Sequence, residues 1–107
     1  MSYRLEYSDS FWRDYFGALE YLIDVLKNRI AARELDDAFE REKRTLRTMP
    51  KASRPYLSPP CVDADYYVLR VKNYMAFYVV RDDVVEFRRF LFSRSNLHGR
   101  LTGQTLD

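Results

Sequence analysis

One cysteine, one histidine and three glycines in 107 residues leave little room for several kinds of chemistry. Cys61 has no partner for an internal disulfide, so the fold must rest on a hydrophobic core, as suits a reducing compartment. Cys61 and His98 fall short of the four ligands of a typical zinc site, and neither a metal nor a cofactor is expected. A Gly-rich phosphate loop and a G-x-S-x-G elbow are both absent, and a lone histidine does not support a Ser-His-Asp arrangement. No run of 18 apolar residues occurs, and Met1 to Glu6 lacks the apolar centre of a signal peptide. A cytoplasmic protein with no membrane partner is the expectation.

Aromatic and charged residues are what the chain has in quantity, at 16% and 32%. That balance describes one folded domain over residues 1–107, with 96–107 read as a loosely ordered tail. The aromatic share exceeds what a small core needs, so part of it should form an exposed groove or edge for a partner. Net charge is only +2, so any case for a nucleic-acid partner depends on where the charges lie.

Hydrophobic periodicity sets the order of elements. Tyr3, Leu5 and Tyr7 alternate with polar residues, the period of a half-buried strand. Ser8, Asp9 and Ser10 then offer oxygens to the free N–H groups of a helix start. Phe11, Tyr15, Leu19, Leu22 and Leu26 recur at helical spacing, with Trp12, Phe16 and Ile23 widening the stripe. Lys27-Asn28-Arg29 reads as a short break before a second helix from about Ile30 to Met49, which Pro50 stops. Residues 52–64 carry three prolines and read as an extended connection. Runs of Val, Tyr and Phe predict strands over Tyr66–Val71, Tyr74–Arg81 and Val84–Phe92, turning at Lys72-Asn73 and Asp82-Asp83. The result is an α+β fold of order β-α-α-β-β-β, a two-helix hairpin packed on one face of a small antiparallel sheet.

Cations mark the candidate surface. Acids dominate the first helix and the start of the second, whereas Arg41, Lys43, Arg44 and Arg47 crowd its end. Arg70, Lys72, Arg88, Arg89 and Arg94 punctuate the sheet. Such a distribution suits a phosphate-binding stripe, with Lys43, Arg44, Arg47, Lys72 and Arg88 as phosphate or RNA contacts. The alternative is a solvated helix face with pairs such as Glu40–Arg44. Arg70, Arg94 and the Lys43–Arg44–Arg47 cluster are expected to line one continuous surface. Arg89, among apolar neighbours, favours a buried ion pair over a contact site, since a buried charge needs a partner. Tyr74 and Tyr78 share a strand face and suit core rings with hydroxyls at the rim.

Taken in order, these segments resemble the RelE/ParE superfamily of toxins from bacterial type II toxin–antitoxin systems. The likeness lies in Ser8-Asp9-Ser10-Phe11, in Asn28 with Ala31-Ala32, and in Leu46 with Met49-Pro50. It is most specific over Leu69 to Tyr78 and is completed by Phe87 to Arg94. The resemblance implies a growth-inhibiting toxin neutralised by an antitoxin partner. RelE-like members cut mRNA in the ribosome, which requires a base, cations for the transferring phosphate and an acid. ParE-like members inhibit DNA gyrase. Carried onto this chain, Arg94 takes the basic position at the end of the last strand. Arg70 joins it, and His98 is the acid/base candidate. Met75 stands where many nucleases have an arginine, and the C-terminal tyrosine of many nucleases has no clear counterpart. The leaning is towards an endoribonuclease acting on ribosome-bound mRNA. Gyrase inhibition without nuclease activity, or a non-catalytic antitoxin-docking module, are the alternatives.

Overall fold

The computed structural model describes residues 2–51, 54–55 and 66–93. Two helices cover one face of a five-stranded sheet. The elements are β1 (Arg4–Tyr7), α1 (Asp9–Glu20), a π-helical turn (Tyr21–Val25), α2 (Arg29–Lys43) and a 3-10 turn (Arg44–Arg47). They are followed by β2 (Arg54–Pro55), β3 (Tyr67–Val71), β4 (Tyr74–Arg81) and β5 (Val84–Phe92).

Local chemistry places most boundaries where the sequence puts them. The Ser8 hydroxyl accepts a hydrogen bond from the Phe11 N–H at 3.0 Å, capping α1, and donates another to the Arg88 carbonyl. Asn28 caps α2 by accepting from the Ala31 N–H at 2.9 Å. Lys27, Lys72 and Asp82 hold φ near +53°, as the hairpin apex and the two strand turns require. The three meander strands lie within one residue of expectation.

Five features differ: Arg54–Pro55 adds a short fifth strand within the expected connection, the first helix gives way to a π-helical turn at Tyr21, and three more concern the sheet and the end of α2. β5 pairs antiparallel with β4 but parallel with β1, so the sheet, of order β1-β5-β4-β3-β2, is mixed at one edge. The cause is topological: two antiparallel helices return the chain to the end from which β1 departed. The α-helical part of α2 stops at Lys43 rather than Met49, because Arg44–Arg47 tightens into a 3-10 turn. Finally, Phe77 pairs with Arg89 while Tyr78 pairs with Phe87, which leaves Arg88 bulged out of register. The bulge reverses side-chain parity along β5. Phe87 and Phe90 therefore both face the helices, while Leu91 packs on the opposite face with Tyr66, Phe77 and Val79.

Most of the core lies between helices and sheet. Phe11 is at its centre, with Tyr7, Tyr15, Phe39, Phe87 and Phe90 all within 5.8 Å of it, centroid to centroid. Tyr78 is fully buried, and its hydroxyl donates to the Pro50 carbonyl at 2.6 Å, fixing the chain beyond the 3-10 turn. The expected connection over 52–64 lies outside the described residues apart from Arg54–Pro55, and the tail over 96–107 lies wholly outside them.

Candidate functional site

The arginines of the sheet do not share one environment. Arg89 is buried, and its guanidinium holds Asp14 of α1 at 2.7 and 3.0 Å. Asp14 also accepts the Phe90 N–H at 3.0 Å, closing the edge of β5 where β1 has ended. This is the structural role that its apolar neighbours implied. Arg88 is half-buried. Burial would pull its guanidinium down, but hydrogen bonds to Glu86, at 3.0 Å, and to Tyr66 outweigh that and raise it. Its charge is committed, which weakens the expectation that it contacts phosphate.

Arg70 alternates with Leu69 and Val71, which face the helices, so it projects from the opposite face, where Val68 and Met75 pack. It is exposed, and it pairs in register with Met75. Lys72 is exposed in the adjoining turn. The Ser93 N–H donates to the Asn73 carbonyl at 2.9 Å, so the chain leaves the described region beside that turn. Arg94 and His98 follow and lie outside the described residues.

Lys43, Arg44 and Arg47 sit elsewhere. The Tyr3 N–H donates to the Arg47 carbonyl at 2.7 Å, which puts the 3-10 turn at the start of β1. In register, that is the end of the sheet holding Arg81 and Val84, opposite the end where Arg70 and Lys72 lie. The expected continuous surface is therefore two separate groups of cations. Within the first, Lys43 is tucked against the core, its ammonium 2.8 Å from Glu40, 2.9 Å from the Tyr7 hydroxyl and 4.7 Å from the Phe39 ring centre. Burial opposes its charge, yet the bonds to Glu40 and Tyr7 hold its pKa above the usual lysine value. Glu40 thus pairs with Lys43 and not with Arg44, which leaves Arg44 and Arg47 exposed and unpaired among the described residues.

An apolar surface accompanies these cations. On α1 the rings of Trp12 and Phe16 stack at 5.3 Å, and Phe16 is 55% exposed. Beyond the π-helical turn, Leu26 and Ile30 are exposed in their turn, Ile30 at 73%. The broad stripe of the first helix is thus divided, with Phe11 and Tyr15 buried and Trp12, Phe16 and Leu26 exposed, in keeping with the expectation that part of the aromatic share forms an exposed groove or edge. Among the described residues no cluster of His, Cys, Asp and Glu could hold a metal, and no helix is long and apolar enough to cross a membrane.

Comparison with known proteins gives this two-helix hairpin, packed on a meander extended by the amino-terminal strand, a family. The family model for the ParE toxin of type II toxin–antitoxin systems, parDE, matches residues 5–97. The chain belongs to this family, on the ParE side of the superfamily it resembles. A solved structure from the chromosomal ParDE toxin–antitoxin system of P. aeruginosa superposes with a TM-score of 0.67 at 15% identity, over 85% of this chain and 96% of that one. At that identity the likeness concerns the fold. No curated protein matches.

Proposed function

We propose that this toxin arrests growth by inhibiting DNA gyrase and not by cutting mRNA. Membership of the ParE family carries the reading. The distribution of cations favours it too. Cutting RNA requires a base, an acid and free cations around one phosphate. Among the described candidates, Lys43 and Arg88 are already neutralised by Glu40 and Glu86, and Arg70 lies across the sheet from Arg44 and Arg47. Met75 offers no charge where many nucleases have arginine. Induction in cells tests the choice. Plasmids should lose negative supercoiling or accumulate cleaved gyrase complexes, while primer extension shows intact transcripts. Codon-specific mRNA cuts with normal plasmid topology would return the reading to an endoribonuclease.

The antitoxin expected of such a module has a fitting surface in the Trp12–Phe16 flank of α1. An amphipathic helix could lay its apolar side there and cover rings that are otherwise wet. Phe16→Ala should weaken antitoxin binding about 30-fold, the effect of a buried aromatic anchor worth roughly 2 kcal/mol. Unchanged affinity would move the antitoxin to another surface.

A further inference from the structure

We infer that Arg44 and Arg47 form a rigid ridge that grips the phosphate backbone of duplex DNA. The 3-10 geometry sets the spacing. Side chains three residues apart are eclipsed, and a rise of about 2.0 Å per residue sets the two arginines roughly 6 Å apart along one line. That is comparable to the separation of neighbouring phosphates on one strand.

The ridge is anchored, and neither arginine makes an ion pair among the described residues. Leu46, between the two arginines, is fully buried. The Arg47 carbonyl is held by Tyr3 and the Pro50 carbonyl by Tyr78. The Thr45 hydroxyl closes the end of α2 on the Glu42 carbonyl at 3.2 Å. Backbone held this firmly has little entropy left to lose on binding. Of the nearby acids, Glu40 is taken by Lys43, and Glu42 lies 3.8 Å from Arg41. Lys51, exposed just beyond the turn, adds a third cation with no partner among the described residues.

The surroundings favour a duplex over other polyanions. Single strands are held by rings that stack on bases, whereas the exposed large apolar side chain of this stretch is Met49. A folded acidic partner would be anchored by exposed aromatic hot spots, and among the described residues 43–51 carry no aromatic side chain. What it offers is regularly spaced charge, suited to backbone contacts that position a protein without reading sequence.

Fluorescence anisotropy of the purified full chain with a mixed-sequence 20-base-pair duplex tests this between 50 and 200 mM salt. Three phosphate contacts predict a log–log slope of about −2.7, or roughly 40-fold weaker binding across that range. In the double variant Arg44→Ala/Arg47→Ala the slope should fall to about −0.9 and the loss to roughly 3.5-fold. Arg44→Lys/Arg47→Lys keeps the charges and should keep the slope, as should Arg70→Ala at the far end of the sheet. The inference is overturned if the alanine variant retains the full slope. It is also overturned if Arg70→Ala lowers the slope equally, or if single-stranded DNA binds more tightly than the duplex. The readout uses no gyrase, so a chain that spares gyrase yet shows these slopes leaves the ridge in place.

Discussion

Arg89 and Arg44 are the same residue in opposite circumstances, and the contrast explains how this small protein divides its charge. Arg89 is buried at the open edge of β5, where Asp14 meets its guanidinium twice and takes the Phe90 N–H as well. Its charge serves the join between α1 and the sheet. Arg44 is exposed on a 3-10 turn, and the glutamate one helical turn before it is taken by Lys43. Its charge remains available to a partner. Residue type alone does not separate the two roles; the nearest carboxylate does.

The largest effect should come from breaking the buried side of this contrast. Arg89→Ala or Asp14→Ala strands one charge at the α1–β5 join and should cost about 3–5 kcal/mol in urea unfolding. A loss below 1 kcal/mol would mean that water reaches the pair and that the join does not depend on it. Next is Ser8→Ala, which removes the α1 cap and the bond to the Arg88 carbonyl, for an expected loss of about 0.5–2 kcal/mol.

Alkali should sharpen the contrast further. Burial, with the bond to Asp36, raises the Tyr15 pKa well above the usual tyrosine value, and burial near Tyr21 raises that of Tyr74. Lys43 is raised as well. Protons held more tightly in the folded state contribute stability that is fully present below the unfolded pKa, about 10 for these groups. That contribution is lost as pH rises through the folded values. Tm should therefore be insensitive to these groups at neutral pH and fall above about pH 10, less steeply in Tyr15→Phe. The smallest effect belongs to the exposed side. Arg44→Ala and Arg47→Ala should each change stability by no more than about 0.5 kcal/mol in the same urea experiment.

How much of this was legible depends on how local the cause is. The Ser8 and Asn28 caps, the turns at Lys72-Asn73 and Asp82-Asp83, and the meander strands follow from neighbouring residues, and the sequence placed them well. Arg89 was legible as half of an ion pair because a charge between apolar neighbours needs one. The parallel pairing of β1 with β5 was not, since it joins residues about 80 apart. Nor was the Arg88 bulge: unbroken alternation would put Leu91 on the helix-facing side with Phe87, whereas the bulge turns it to the opposite face. The 3-10 end of α2 was missed because its last carbonyl, that of Arg47, answers to the distant Tyr3 N–H rather than to a next turn of helix. The two groups of cations looked continuous for the same reason: sequence proximity to the sheet carries no information on which end of it a turn will meet.

Inhibition of gyrase by the purified chain is the most direct test of the functional reading. Relaxed plasmid, ATP and gyrase are combined with increasing toxin, with and without its antitoxin, and supercoiled product is read on a gel. The account predicts that supercoiling stops, or that cleaved plasmid accumulates, as toxin approaches gyrase in amount, and that antitoxin restores activity. Undiminished supercoiling at a large excess of folded toxin, with mRNA cut in a translating extract, would contradict it.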